Sequence, residues 1–207
     1  MLILGISTSS KYASAAVTDT ERDPAGPVSF FIETRPGISH STSLMRLIED
    51  ALSCAGCGKD DVGAIAVDVG PGSFTGVRIG VSCANAMAFA LGVPVIPVCS
   101  LAALKQRAEV SGTVASLIDC RNGNCYAAVY EDGKEIVSPC AAVTDEILKS
   151  LHEGAVICGD VFSKDIDSYP DAAAVLKEAV SGRIAPSKQA VPMYLRPSQA
   201  ERMRKSD

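Results

Sequence analysis

The chain alternates short, almost continuous apolar runs with stretches whose apolar positions recur every three or four residues. Residues 1–7 (Met-Leu-Ile-Leu-Gly-Ile-Ser) are apolar nearly throughout, the mark of a strand covered on both faces. A polar turn, Thr8-Ser9-Ser10-Lys11, leads to a second strand over 12–18. After the breaker Asp23-Pro24-Ala25-Gly26-Pro27 a third is predicted over 28–34. His40-Ser41-Thr42-Ser43 caps a helix whose Leu44, Leu47, Ile48, Ala51, Leu52 and Ala55 follow helical spacing. A strand at 62–69, a long helix and a strand at 93–98 complete a first unit.

The second half repeats this plan in shortened form. Strands are predicted at 113–119 and 125–130, joined through Arg121-Asn122-Gly123-Asn124, and the tight turn Asp132-Gly133 opens a third. A short helix starts at Thr144-Asp145-Glu146 and ends by Gly154, a strand follows at 155–158, and Asp171 to Val180 forms a helix closed by Gly182. Pattern alone implies a mixed-sheet α/β lobe over 1–103 and a smaller, similar one over 104–207. Residues 183–207 contain three prolines and end on Arg202, Arg204 and Lys205, as a solvated tail would.

The most informative stretch is Gly70 to Gly92. Gly70-Pro71-Gly72 closes an apolar strand, and Ser73 and Thr75 can each cap the helix that follows. Gly76, Gly80, Ala84 and Ala88 recur every fourth residue, a row that lets another backbone come close, with Val77, Val81 and Phe89 beside it. Gly92 and Pro94 end the helix. Backbone N–H groups at the helix start would suit an anion, and a tight strand-to-helix turn needs the same small residues. The stretch is neither a Walker A loop, having no Gly-Lys-Ser/Thr, nor G-x-G-x-x-G.

Residue for residue, Gly70 to Gly80 resembles the GPGSFTGVRIG signature of the TsaB (YeaZ) family, bacterial proteins required to make threonylcarbamoyladenosine in tRNA. The resemblance continues at Leu101-Ala102-Ala103-Leu104 and at Pro192-Met193-Tyr194-Leu195-Arg196. It implies an α/β fold of two tandem actin-like (ASKHA, ribonuclease H-like) lobes, mixed sheets flanked by helices, the second truncated relative to catalytic members. It also implies a non-catalytic scaffold, an accessory subunit rather than an enzyme on its own. A TsaD-like paralogue performs the transfer, a TsaE-like ATPase docks on the pair, and a second copy takes the paralogue's place in its absence. Contact with tRNA is then indirect, no cofactor is intrinsic, and ATP belongs to the partner complex. In the family two helices pack against the same pair in the partner. Carried onto this chain, that surface comprises Leu44, Met45, Leu47, Ile48 and Leu52 on the first helix. On the second it comprises Gly76, Val77, Gly80, Val81, Ala84 and Ala88.

The chain departs from the catalytic pattern at two points. The superfamily expects Asp at the end of the first strand, to position magnesium or water, and here the residue is Ser7. Thr8, Ser9, Ser10, Gly72 and Ser73 remain as a phosphate-binding set. The catalytic paralogue carries two histidines four residues apart on a helix, whereas His40 is followed four positions later by Leu44, so no metal pair forms there. His40 is read as a helix-start residue and His152 as a helix-end cation. Gly-x-Ser-x-Gly is absent. The rival functions are an ATP-dependent phosphotransferase using the phosphate-binding set, and a glycoprotease-like peptidase acting on its partner.

Composition narrows the partners. Hydrophobic residues at 47% against 21% charged describe a folded chain, and a net charge of −5 supplies no basic field for direct, tight RNA binding. The eight cysteines are scattered, several in apolar runs, and no leader segment is read at the start, so they are expected to be reduced and mostly buried. Cys54-x-x-Cys57 lies among Gly56 and Gly58 with no second Cys-x-x-Cys, and is read as a helix end rather than a zinc site. No apolar run is read as long enough to span a membrane, and a cytoplasmic location is expected.

Overall fold

The computed structural model describes residues 1–22, 29–33, 39–161 and 164–197. The first sheet contains β1 (Leu2–Ser7), β2 (Ala13–Asp19), β3 (Ser29–Glu33), β4 (Val62–Asp68) and β5 (Val95–Val98), in the order β3-β2-β1-β4-β5. β1 to β3 form an antiparallel meander, and β4 and β5 run parallel to β1. The parallel steps are made by α1 (His40–Cys54), which precedes β4, and α2 (Phe74–Leu91), which precedes β5. The α1 cap is Ser39, one residue ahead of the run read as the cap; its side chain accepts from the Thr42 amide.

The connector α3 (Ser100–Lys105) leads to the second sheet, made of β6 (Thr113–Asp119), β7 (Asn124–Glu131), β8 (Lys134–Val143), β9 (Val156–Gly159) and β10 (Ile166–Asp167). Its order, β10-β9-β6-β7-β8, repeats the first sheet with β6 in the place of β1. The duplication is therefore structural. The helix α4 (Thr144–Ser150) stands where α1 stands, but β9 and β10 are separated by only positions 160–165, too short a span for a counterpart of the 18-residue α2, which is the truncation.

The last helix, α5 (Ala172–Ala179), does not stay with the second lobe. It packs across β1, β2, β4 and β5 on the face opposite α1 and α2. The approach is close: a Cβ on Gly5 would lie 2.6 Å from Leu176 Cγ and 2.8 Å from the Ala172 carbonyl oxygen. Leu4 and Ile6 pack toward α1 and α2, and Ile3 packs with Val175 and Leu176. Both faces of β1 are thus buried, which is why its sequence does not alternate; each such side chain contributes about 1.5–3 kcal/mol.

Several expectations need correction. Residues 187–193 are held against the first lobe: Ser187 pairs with Val95, Asn85 exchanges hydrogen bonds of 2.9 and 2.8 Å with the Ala190 backbone, and the Met193 amide donates to Val69 O at 2.7 Å. Only the end carrying Arg202, Arg204 and Lys205 remains of the tail reading, and it lies outside the described residues, as do Val28 and Thr34 of the predicted third strand. All eight thiols are free, but only Cys125 and Cys158 are buried; burial pushes the Cys158 thiol up to about 11. The helix α2, at 18 residues and mean hydropathy 1.3, is long and apolar enough to cross a membrane by length and composition. Here one of its faces packs on the first sheet.

Candidate functional site

The glycine-rich turn is built against the loop that follows β1. The Ser73 amide donates to Ser9 O at 2.7 Å, and a Cβ on Gly72 would sit 2.5 Å from that same oxygen. One turn into α2, a Cβ on Gly76 would meet Thr8 O at 1.9 Å, and one on Gly80 would meet Thr8 Oγ1 at 2.4 Å. The small-residue row therefore lets α2 lie on the chain's own β1 end. Ser73, rather than Thr75, caps the helix, accepting from the Gly76 amide at 3.2 Å. With the amides of Ser73, Gly76 and Val77 all used internally, the turn reading outweighs the anion reading.

Beneath that turn lies Asp68, fully buried at the end of β4. Because β1 and β4 are parallel neighbours paired through Ile6 and Val67, Ser7 and Asp68 end side by side. Oδ2 of Asp68 is 2.8 Å from Ser7 Oγ and 2.5 Å from Ser9 Oγ; Oδ1 accepts from the Gly70 amide at 3.0 Å and from the Ser100 hydroxyl. Burial pushes this carboxyl up from the usual range, against the pull of its four donors. Ser7 Oγ also lies 3.3 Å from Pro170 O, and one hydroxyl proton cannot serve both acceptors. A proton on Asp68, donated to Ser7 while Ser7 donates to Pro170, satisfies every atom.

Between the lobes opens a cleft of about 680 Å³. Four members of the phosphate-binding set line it: Ser9, Ser10, Gly72 and Ser73. Thr8 does not, being buried with its hydroxyl donating to Gly76 O at 2.6 Å. Sequence reasoning missed the charged members of the cleft, Lys11 from the first lobe and Asp119, Arg121 and Asp160 from the second. Lys11 Nζ stands 4.3 Å from the Tyr169 ring centre. Asp160 accepts from the Asp119 amide at 2.7 Å, and burial pushes its carboxyl up. The duplication was the available signal: Asp119 ends β6 as Ser7 ends β1. His40 opens α1 on the cleft wall, while His152 follows α4 and pairs with Thr113 Oγ1 at 2.7 Å.

The outer face of α1 and α2 differs from the surface expected of it. Leu44, Leu47, Ile48 and Leu52, with Gly76, Val77, Gly80, Val81, Ala84 and Ala88, are buried under the first sheet. Of the named set only Met45 reaches solvent, half exposed. Phe89, read beside the small-residue row but not as part of that surface, does face outward, and the half-buried Cys83 and Met87 were missed. Phe89 is 91% exposed, and Cys83 Sγ lies 3.8 Å from Met45 Sδ and 3.9 Å from Met87 Sδ, bridging the two helices. The run Pro192 to Arg196 meets the α2 start: Tyr194 stacks on Phe74 at 4.8 Å, and Arg78 Nε donates to its hydroxyl at 2.8 Å.

This architecture has known relatives. The chain is 34% identical over 134 residues to the tRNA threonylcarbamoyladenosine biosynthesis protein TsaB of Escherichia coli, covering 63% of this chain and 55% of that protein. It is 34% identical over 94 residues to TsaB of Bacillus subtilis, covering 45% and 41%. The chain thus spans about half the length of these curated relatives. YeaZ from Pseudomonas aeruginosa superposes with a TM-score of 0.76 at 28% identity, over 94% of this chain and 99% of that one. The profile of the family described as TsaD, tRNA N6-adenosine threonylcarbamoyltransferase, matches residues 37–187. The chain belongs to this TsaD family. Its relatives named above place it with the TsaB/YeaZ members, in the actin-like fold. The profile begins after Ser7, so the residue that departs from the expected Asp lies outside the matched stretch.

Proposed function

We propose that this chain is the non-catalytic subunit of the machinery that places a threonylcarbamoyl group on tRNA adenosine, working by packing against a TsaD-type paralogue. Curated relatives carry the name of that biosynthesis. The observation that carries the scaffold role is the exposed apolar surface of α1 and α2, where Phe89 is 91% and Met45 50% exposed, with the half-buried sulfurs of Cys83 and Met87 beside Met45. The buried Asp68 and the His40/Leu44 spacing support a supporting rather than a reacting role.

In this reading a second copy covers the same face when the paralogue is absent, a TsaE-type ATPase docks on the heterodimer, and ATP is held by that complex. The tRNA is met through the complex, consistent with the net charge of −5. The test is reconstitution with the TsaD-type and TsaE-type proteins of the same organism, reading modified adenosine by mass spectrometry. Modification is expected only with the chain present; modification in its absence overturns the proposal.

A further inference from the structure

On the other side of the α3 connector, a crevice of about 960 Å³ opens among α3, the β7–β8 turn and the segment 183–193. None of its residues lines the interlobe cleft. Its apolar walls are Val69, Pro97, Ala102, Ile184, Val191 and Met193. Its polar residues include Tyr130, Lys105, Glu178 and Arg183.

Two of these polar groups are buried and under-used. The Tyr130 residue is 4% exposed and its hydroxyl has no hydrogen-bond partner among the described residues. Lys105 is 9% exposed and carries three donors, yet among the described residues it meets only Glu178 Oε2 at 3.4 Å and the face of Tyr130, 4.9 Å from its centre. Glu178 has little left to offer. Its Oε2 takes Gln106 Nε2 at 2.5 Å and Arg183 at 3.0 Å, and its Oε1 takes Arg183 Nε at 3.2 Å. Two cations therefore share one carboxylate, leaving a positive excess beside a hydroxyl with nothing to bond. The remaining charges of the crevice, Asp132, Lys134 and Glu135, are exposed; Asp132 holds the Gly112 amide and Glu135 the Ser138 hydroxyl. Burial pulls the Lys105 ammonium down from its usual range, a cost that an incoming anion would offset.

We infer that this crevice binds a small organic carboxylate with an apolar body. The carboxylate is taken by Lys105 Nζ and the Tyr130 hydroxyl, and the body lies on Ala102, Ile184 and Met193. A neutral ligand leaves the Lys105 donors unused, and a small inorganic anion leaves the apolar walls wet.

The probes are octanoate, octan-1-ol and acetate, titrated calorimetrically into the full chain. Octanoate is expected to bind about tenfold or more tightly than either of the others. Tyr130→Phe and Lys105→Met are each expected to weaken octanoate several-fold, with folding of each variant checked by circular dichroism. Tyr130→Phe removes a hydroxyl that has no partner among the described residues, so it should fold as the wild type does and keeps the test valid. Lys11→Ala, in the interlobe cleft, should leave octanoate binding unchanged. Equal affinity for octanoate and octan-1-ol, no octanoate binding at millimolar concentration, or binding indifferent to both crevice variants overturns the inference and leaves these groups to water.

Discussion

Ser7 Oγ and Asp68 Oδ2 lie 2.8 Å apart across the ends of two parallel strands. Where the resemblance implies an Asp, β1 ends on Ser7, and the carboxyl beside it, Asp68 of β4, is turned inward, with both residues at 0% exposure. From there Asp68 ties together the loop after β1 through Ser9, the glycine-rich turn through Gly70 and the connector between the lobes through Ser100. It braces the cleft floor without entering the cleft.

Removing that brace should be costly. Asp68→Ala removes the shared hydrogen-bond partner of three hydroxyls and an amide and is expected to lose about 2–4 kcal/mol in a urea titration. Asp68→Asn keeps most partners and should lose much less. The pH dependence separates the two forms of the carboxyl. Its folded pKa is raised by burial above the ordinary 3.8, so its stabilisation is full below that value and is lost as pH rises through the folded pKa. The melting temperature of Asp68→Asn should therefore gain on the wild type as pH is raised from about 4 toward neutrality. A constant difference across that range would show that the buried carboxyl does not titrate there.

The glycines of α2 make a second prediction, opposite in kind to what the small-residue row suggested. Gly76→Ala would drive its Cβ into the backbone oxygen of Thr8, and Gly80→Leu would collide with the Thr8 side chain. Each should cost about 3 kcal/mol or more of fold stability, so any loss of association is a consequence of unfolding. Gly92→Ala is the control. Gly92 has φ +68° with open space around it, and its replacement should cost only about 1 kcal/mol. Urea midpoints of the three variants decide it.

Much of the architecture was legible because it rests on local pattern. The uninterrupted apolar run of β1 announced a strand buried on two sides, and Gly92 announced the end of α2. The repeat of three strands, helix and strand announced the duplication. What was not legible depended on direction. Spacing placed Gly76 and Gly80 on one helical row but could not say whether that row faced the sheet or a partner. Nor could it show that α5 crosses back to the first lobe, because its alanines suit close packing on either sheet. The cleft's charged residues were hidden for a related reason. Lys11, Asp119 and Asp160 are distant in sequence and meet only once both lobes are assembled.

The Pro192 to Arg196 run is a test of how the C-terminal segment supports the turn. Tyr194→Phe removes the hydroxyl that accepts from Arg78 Nε and should cost about 0.5–1 kcal/mol. Tyr194→Ala also removes the ring stacked on Phe74 and should cost about 1 kcal/mol more. If the alanine variant melts with the wild type, the stack adds nothing and the segment is held by the Ala190 and Met193 backbone bonds alone.

The partner surface can be tested without touching the core, because its side chains point away from the sheet. Phe89→Asp and Met45→Glu alter residues that are 91% and 50% exposed, so each should change fold stability by no more than about 0.5 kcal/mol. In a packed contact the same changes bury a charge against apolar surface, and the pair should weaken association by about a hundredfold, or about 2.8 kcal/mol. Light-scattering mass and calorimetric titration, for the chain alone and with a TsaD-type partner, read the effect directly. A folded double variant that stays monomeric and no longer binds the partner assigns the function to this face. A double variant that associates like the wild type moves the contact elsewhere, and the interlobe cleft becomes the next surface to change.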